Sequence, residues 1–431
     1  MLETPPAVPR QGEGPVWRRW VLFLPTAAAL VQGFVRSRKG WADFEGYIDA
    51  GKALEAGFYS TTESNTWPPF FSLVAVPLSW LDRLPPVVAR LGWACATITL
   101  FALAVHRCWK VAKPPGTPDW VAPAASFSIV QFWIHHTVYH QVYALVFACA
   151  AMGFVEAARG RDVRAGIWIG LGGAAKVTPA LALLFFVFTR RWRLVGAAVA
   201  TALVCSAALI PFLGVAGVVA AYRRWSEVVS ALGGPSGVLN QGLPALIDRW
   251  ITDRAIRAGV GVPPLVSLDW GVAERIARAA SLVFFAALTA LLARRKVPPV
   301  YAFAPLVGAA VFVAPYCWKS QLIAFLPLVL LTLSCFARDG RKGLGRPEAG
   351  APISTRDVWG IVLAAPFFLL MPEREPTIIG WKTYILTEGM GFTAICLLLL
   401  LVQSARFLAD RGSALDRMPA RASKAQGRSE W

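Results

Sequence analysis

Residues 194–220 read LVGAAVATALVCSAALIPFLGVAGVVA, a stretch without a charged side chain that decides the fold class. A helix needs roughly 20 predominantly apolar residues to cross the hydrocarbon core of a bilayer. Arg190, Arg191 and Arg193 stand immediately before the stretch. The stretch therefore predicts a transmembrane helix that starts at a basic loop.

The same alternation of apolar runs and short charged loops continues along the chain of 431 residues. Hydrophobic residues make up 56% of it and charged residues only 16%, whereas a soluble domain carries about 25% charged residues. Too little polar surface is left to cover a water-soluble globule of this size. An ordinary soluble enzyme is excluded, and we predict an all-α polytopic membrane protein with about 11 to 13 transmembrane or partial helices.

About twelve apolar segments are candidate spans on the length criterion for a bilayer. They are residues 20–35, 68–81, 87–106, 120–135, 141–158, 165–189, 194–220, 277–293, 299–315, 321–336, 357–371 and 385–404. Some are too short for a full crossing, and residues 165–189 break at Lys176-Val177-Thr178-Pro179. Irregular backbone at membrane depth is tolerated only where it lines a protein-enclosed or wet cavity, so broken helices around a cavity are expected.

The net charge of +18 comes from separate loop clusters rather than from one continuous basic face. This distribution argues against nucleic acid and matches the excess of Lys and Arg in cytoplasmic loops. We place both termini and the basic tail 405–431 in the cytoplasm. The clusters placed with them lie at 159–164, 190–193, 294–296 and 338–346. A strict count of crossings puts 159–164 outside, so we expect a hairpin of half-helices within 120–158 or 165–189.

We treat residues 1–431 as a single membrane domain in which two long loops lie on the outer side. The loops are residues 36–67 and 221–276, and they border an N-terminal module, 20–220, and C-terminal helices, 277–404. In the first loop, apolar residues recur at helical spacing from Asp43 to Gly57. This pattern predicts an amphipathic helix along the membrane face, ended by glycine.

Two charged residues are the best candidates for chemistry. Asp43 begins the predicted outer helix, where a carboxylate can serve as a general base or simply as an N-cap. Lys176 lies inside an apolar region, where an ammonium needs a partner or a wet cavity and suits a phosphate. The alternative for Lys176 is a side chain that extends to the membrane interface.

Other motifs give weaker indications of a functional site. His135, His136 and His140 are close in sequence, but no carboxylate accompanies them, so we predict no metal site. The seven cysteines show no CxxC pair, which gives no zinc or disulfide pattern. There is no Gly-rich nucleotide loop and no hydrolase motif, so we predict no cofactor.

Several motifs occur in order along the chain. They are Asp43-Phe44-x-x-Tyr47, Trp67-Pro68-Pro69-Phe70, His140-Gln141, Lys176-Val177-Thr178-Pro179, Asn240-Gln241-Gly242 and Pro315-x-x-Trp318. In this order they resemble glycosyltransferase family 87. That family usually has Gly-Gln at the place of His140-Gln141, Lys-Pro-Thr-Pro or similar at Lys176 to Pro179, and Asn-Gln-Ser at Asn240 to Gly242. Lys319-Ser320-Gln321 stands where the family often has a His-His pair.

The resemblance implies a membrane enzyme of the GT-C fold with its active site at the outer face of the bacterial inner membrane. It implies Asp43 as the catalytic base of an inverting transfer. Lys319 or Gln321 would take the place of the family's histidines near the donor phosphate. The full set of expected substrate-binding residues is Tyr47, His140, Gln141, Lys176, Asn240, Gln241, Trp318, Lys319 and Gln321.

The predicted reaction moves a sugar, mannose in the first instance, from a polyprenyl-phosphate-sugar donor to a lipid or glycan acceptor. The expected partners are thus the donor, the acceptor and membrane lipids, and no nucleic acid. Two alternatives stay open. One is an arabinofuranosyltransferase with a decaprenyl-phosphate donor, and the other is a lipid or sugar transporter or flippase, for which internal repeats and midplane charges would be expected.

Overall fold

The computed structural model describes residues 24–37, 43–60, 67–114, 117–231, 240–254, 263–342 and 392–416. Within these ranges the chain forms sixteen α-helices and no strand, apart from one isolated β-bridge between Asn240 and Trp318. The predicted all-α class is confirmed. The candidate span 357–371 and most of the basic tail lie outside the described residues.

The first eight helices are α1 (Leu24–Ser37), α2 (Asp43–Glu55), α3 (Pro69–Ser79), α4 (Pro86–Ala112), α5 (Val121–Ser128), α6 (Val130–Val138), α7 (Tyr143–Ala158) and α8 (Asp162–Ala175). The others are α9 (Leu183–Phe188), α10 (Trp192–Ala207), α11 (Ile210–Ala231), α12 (Leu243–Ile251), α13 (Trp270–Arg294), α14 (Pro299–Phe312), α15 (Leu326–Lys342) and α16 (Phe392–Asp416). Three 3₁₀ segments, Trp80–Arg83, Thr178–Ala182 and Lys319–Phe325, join some of them.

Two of the described helices, α4 and α13, are individually long and apolar enough to cross a membrane. The pair α10 and α11 would make a third span, but its two helices meet at 107°. The segment predicted as a membrane span over 194–220 is therefore two helices with a sharp bend between them rather than a single helix. The chain turns at Ala208 and Leu209, and Pro211 is in the first turn of the next helix. Gly214 has a φ of +67°, a backbone conformation that glycine adopts without strain.

A hairpin of half-helices covers residues 162–191. Asp162 begins α8, Arg191 lies just before α10, and their side chains form an ion pair. The two ends of this segment therefore meet, and Lys176 lies near its tip, between α8 and the 3₁₀ turn. The two arms touch, since a Cβ on Gly172 would lie 3.4 Å from side-chain carbons of Pro179. The hairpin brings the basic clusters at 159–164 and 190–193 to the same end of the bundle.

Close helix contacts fix the direction of the chain on either side of the hairpin. Gly153 of α7 faces Ile169 of α8, and a Cβ on Gly172 would lie 2.9 Å from the Cβ of Cys149, so α7 and α8 are antiparallel. Gly166 and Gly170 pack against the backbone of Leu194 and Ala198, so α8 and α10 run in the same direction. Small residues at such interfaces let membrane helices approach closely.

The packing separates the bundle into two ends of different character. Phe303, early in α14, contacts Phe154, late in α7. Tyr143 at the start of α7 and Gln321 after the end of α14 both contact Lys176, so α14 begins where α7 ends. One end, called here the basic end, carries Arg159, Arg161, Arg164, Arg190, Arg193, Arg294, Arg295 and Lys296. The other end holds the start of α7, the tip of the 162–191 hairpin and the loop after α14.

The helix predicted from Asp43 to Gly57 is confirmed as α2, which ends two residues before Gly57, a glycine with a φ of +81°. Its apolar face, including Phe44, Tyr47 and Ile48, packs on α3 and α4. A Cβ on Gly51 would lie 2.5 Å from the Ala75 carbonyl oxygen, so glycine is needed for this close approach. Helix α2 is thus held firmly, with its first residue at the non-basic end.

Candidate active site

Asp43 is held at the start of α2 by the turn between α6 and α7. Its backbone N–H donates to the Tyr139 carbonyl oxygen at 3.2 Å. Its carboxylate accepts a hydrogen bond from the Gln141 side-chain amide. The Asp43 side chain is open to solvent on one flank, so it is both oriented by the protein and accessible to a substrate.

The turn that supplies Gln141 depends on the backbone of His140. Its φ is +50°, in the left-handed region that favours glycine, which gives a physical reason for the glycine usual at this place in the family that the sequence resembles. The indole N–H of Trp93 donates to the His140 carbonyl oxygen at 2.8 Å, and the His140 ring lies 6.1 Å from that of Phe44. His140 therefore shapes the turn and packs on α2.

Tyr47 lies one turn after Asp43 and is only 1% exposed. Its ring packs edge-on against Trp67 and Phe71, at centroid distances of 5.6 and 5.3 Å. Its hydroxyl oxygen accepts a hydrogen bond from the Val142 N–H at 3.2 Å. Tyr47 thus joins α2 to the residue just before α7, and it lies one helical turn from Asp43.

Lys176 lies in extended backbone just after α8, with a φ of −158°. Its ammonium nitrogen is 4.4 Å from the centroid of the Trp67 ring and 5.7 Å from that of Tyr143. These distances are in the range of cation–π attraction. Among the described residues Lys176 forms no ion pair with a carboxylate, so its positive charge can serve a bound anion.

Gln321 connects Lys176 to the loop after α14. In the amide orientation that satisfies both neighbours, its Nε2 donates to the Tyr316 carbonyl oxygen at 3.2 Å, and its Oε1 accepts from Lys176 Nζ at 3.2 Å. Amide orientations are assigned from such hydrogen-bond networks. The predicted residues Lys176 and Gln321 are therefore direct neighbours.

The groups around Asp43 shift the pKa of its carboxyl group. Removal of water by the packed protein raises the pKa of the carboxyl above its ordinary value of 3.8, and nearby Glu45 adds to the rise. The hydrogen bond from Gln141 and the positive charge of Lys176 act in the opposite direction. Lys176 is thus close enough to Asp43 to affect its ionisation, and a raised pKa makes the carboxylate a stronger base.

We predict that the shifted pKa of Asp43 is visible in the pH dependence of activity. A base must be deprotonated, so kcat/KM should fall as the pH decreases, with a midpoint above 3.8. Gln141→Ala removes a pKa-lowering hydrogen bond and should move the midpoint upward. Glu45→Gln removes a pKa-raising charge and should move it downward. Rate profiles of the wild type and both variants measure the midpoints, and shifts in the reverse order would contradict the assignment.

Asn240 and Gln241 support the loop from Pro315 to Trp318. The Asn240 amide donates to the Pro315 carbonyl oxygen at 2.7 Å and accepts from the N–H groups of Cys317 and Gly242 at 2.9 and 3.1 Å. The Gln241 N–H donates to the Cys317 carbonyl oxygen at 2.8 Å. The Asn240 side chain is thus engaged with backbone, which indicates a role in holding this loop.

The three predicted residues after Pro315 differ in placement. Trp318 is 40% exposed at the edge of the site, whereas Lys319 is 2% exposed and lies in a 3₁₀ segment packed on α6. Only Gln321 reaches Lys176. The structure therefore brings together Asp43, Tyr47, Gln141, Lys176 and Gln321.

The histidines before α7 pack against aromatic rings. His135 stacks on Tyr139 at 5.2 Å, and His136 meets Trp133 edge-on at 5.8 Å. In the part of the chain that the structure describes, no three His, Cys, Asp or Glu residues are grouped so that they could hold a metal ion.

An open apolar groove of about 330 Å³ lies along α8 and α10. Val177 and Pro68, the chain neighbours of Lys176 and Trp67, are among the residues that line it. Small residues of α8 and α10 form its floor, and it reaches Tyr222 of α11, whose hydroxyl lies 2.8 Å from that of Ser206. The contacts of the Lys176 ammonium with Trp67 and Tyr143 were not predicted from the sequence, although aromatic residues are natural neighbours for a cation in an apolar region.

Comparison with known proteins adds one finding. A family model described as Glycosyltransferase family 87 matches residues 65–317, more than half of the chain. No curated protein and no solved structure matches. The matched range contains Gln141, Lys176 and Asn240, whereas Asp43 precedes it and Gln321 follows it.

Proposed function

Because the chain belongs to glycosyltransferase family 87, we propose that it transfers mannose from a polyprenyl phosphate to a lipid or glycan acceptor. The reaction is a single displacement with inversion at the anomeric carbon. Asp43 acts as the general base, and Lys176 with Gln321 receives the leaving phosphate. The active site faces the outer side of the bacterial inner membrane.

The observation that carries this proposal is the position of Lys176. Its ammonium is close enough to the Asp43 carboxylate to affect it electrostatically, and its chain neighbour Val177 lines the apolar groove. A lipid phosphate has the same order of parts, with an anionic head beside an apolar chain. The phosphate would lie against Lys176, the chain would enter the groove, and the sugar would then extend toward Asp43.

The proposed reaction needs only two groups from the protein. Asp43 takes the proton of an acceptor hydroxyl while the hydroxyl oxygen forms a bond to the anomeric carbon. The bond from that carbon to the phosphate oxygen breaks, and its electron pair leaves with the phosphate. Lys176 stabilises the charge that develops there. In a displacement with inversion, the acceptor hydroxyl attacks from the side opposite the leaving phosphate. The Asp43 carboxylate and the Lys176 ammonium would therefore lie on opposite sides of the sugar, and they are carried by different parts of the fold.

The charge of the two bundle ends supports the outer-face location. Basic loops of membrane proteins remain in the cytoplasm, which would place the basic end inside. Asp43, Gln141 and Lys176 lie at the other end and would then face outward. A lipid-linked donor suits that side, because soluble nucleotide sugars are cytoplasmic substrates.

Purified protein in detergent tests the proposal. We expect transfer of label from polyprenyl-phosphate mannose to a lipid extract of the source membrane. A transporter or flippase needs a sealed membrane and would show no transfer in detergent. Transfer only from decaprenyl-phosphate arabinofuranose would instead support the arabinofuranosyltransferase alternative and overturn the assignment of mannose.

A further inference from the structure

Arg249 is a fully buried arginine close to the loop that follows α14. It lies in α12, it is 0% exposed, and its Nη1 donates a hydrogen bond of 2.8 Å to the Asn240 carbonyl oxygen. Burial of a charged group is costly unless the group is paired and hydrogen-bonded. A guanidinium kept at this place therefore calls for a role, and its bond to Asn240 indicates where that role lies.

Asn240 connects Arg249 to the loop. The Asn240 side chain accepts a hydrogen bond of 2.9 Å from the Cys317 N–H, and its backbone forms the isolated bridge with Trp318. Two residues further on, a Cβ on Gly242 would lie only 3.2 Å from that of Cys317. Arg249 is therefore bonded to the stretch of backbone on which the loop packs.

The same loop reaches the proposed phosphate position at two points. The Gln321 amide contacts the Tyr316 carbonyl oxygen and Lys176 Nζ, each at 3.2 Å. Burial raises the pKa of the Cys317 thiol, and Lys176 is close enough to act in the opposite direction. Contacts thus run through the loop from Asn240 to the ammonium.

A second arginine lies near Arg249 and has different contacts. Asp248 is buried between its chain neighbours, and burial raises the pKa of its carboxyl, whereas Arg254 and Arg249 lower it. Arg254 lies 3.5 Å from the Asp248 carboxylate and 4.6 Å from the centroid of the Trp270 ring. Both arginines thus balance the charge of Asp248, whereas the bond to Asn240 comes from Arg249.

We propose that Arg249 is a positioning residue for the donor site. By holding Asn240 it fixes the loop, and the fixed loop keeps Gln321 against Lys176. This inference rests on the proposed function, in which Lys176 with Gln321 receives the leaving phosphate. Because a displacement of about 1 Å in a positioning group can reduce the rate about 10²-fold, a buried residue that never touches the donor can still control its binding.

Arg249→Lys tests this inference without removing the charge beside Asp248. The lysine side chain is shorter than that of arginine, so its ammonium should not reach the Asn240 carbonyl oxygen. We expect undecaprenyl phosphate to bind this variant in lipid nanodiscs about 10-fold more weakly than the wild type, the size of one lost hydrogen bond from a charged group. In a Gln321→Ala background the same change should weaken binding less than about twofold, because the residue through which Arg249 acts is then missing.

The Cys317 thiol reports on the loop independently of the donor. Cys317 is 0% exposed, and Cys149 and Cys108 are buried elsewhere in the bundle. N-ethylmaleimide labelling, followed by mass spectrometry of the cysteine peptides, should be faster at Cys317 in Arg249→Lys than in the wild type. It should be unchanged at Cys149 and Cys108, whereas a general loss of stability would accelerate labelling at all three.

Arg254→Lys is the matched control, since it makes the same change in the neighbouring arginine. It should leave phosphate binding and Cys317 labelling unchanged. Arg249→Met removes the donor group and should have a larger effect than Arg249→Lys; if it does not fold, Arg249→Lys alone decides.

Three results would overturn the inference. They are wild-type labelling of Cys317 in the folded Arg249 variants, equal acceleration at all three cysteines, and unchanged phosphate binding. A wild type that does not bind undecaprenyl phosphate would instead refute the proposed function, and the labelling rates would still show whether Arg249 holds the loop.

Discussion

Asp43→Asn is expected to lower kcat for sugar transfer by about 10³-fold, because a positioned general base contributes roughly 10² to 10⁴ in rate. The substitution keeps the side-chain volume, and the asparagine oxygen can still accept the hydrogen bond from Gln141. Only the ability to take a proton is lost. The measurement is the initial rate of label transfer from polyprenyl-phosphate mannose by purified protein, together with the melting temperature.

Asp49→Asn is the matched control for this prediction. Asp49 lies on the same helix, on its exposed face, and the same chemical change there should leave the transfer rate within about twofold of the wild type, as for most surface substitutions. Undecaprenyl phosphate should bind equally well to both variants. If Asp43→Asn turns over near the wild-type rate while it is folded, Asp43 has no part in the mechanism.

The outer helix shows what the sequence can predict well. The spacing of apolar residues from Phe44 onward depends only on helical periodicity, and α2 begins and ends close to the predicted limits. The hydrogen-bond partner of Asp43 could not be predicted in the same way. Gln141 lies 98 residues further along the chain, and its approach depends on the positive φ of His140. A local pattern contains no information on such a contact.

The stretch 194–220 shows where hydropathy misleads. Its composition fits a membrane span. Hydropathy contains no information on where a helix bends, and the chain bends by 107° between α10 and α11. Pro211 and Gly214 were visible in the sequence, and each favours a helix start or a break. Their effect depends on packing against neighbours, because a proline or glycine within a membrane helix is often tolerated.

The residues predicted to contact the donor phosphate differ in how well the sequence alone could select them. Lys176 was selected because an ammonium in an apolar region needs a partner, a requirement that holds in any fold. Asn240 and Lys319 were selected by position in a motif, and the structure engages one with backbone and buries the other. Which way a polar side chain points depends on tertiary contacts, here the bridge between Asn240 and Trp318.

Lys176→Ala is expected to reduce kcat/KM for the donor by about 10² to 10³-fold, the size typical of removing one group that stabilises developing charge. The physical reason is that the ammonium has no carboxylate partner among the described residues, so its charge is left for the phosphate. The KM of the acceptor should change little. Steady-state rates with each substrate varied in turn, and binding of undecaprenyl phosphate, measure the two effects separately.

Two further variants separate charge from packing. Lys176→Met keeps an unbranched side chain against Trp67 but removes the charge, so it should lose donor binding as severely as alanine does. Lys52→Ala removes an exposed lysine that pairs with Asp82 on the outer surface of α2 and should leave donor binding unchanged. A methionine variant with wild-type donor binding, or an equal loss of affinity for donor and acceptor, would show that Lys176 supports the packing of Trp67 and Tyr143 rather than the phosphate. The apolar groove beside Val177 would then need another explanation, because a lipid chain there is expected only if the head of the same molecule is held at Lys176.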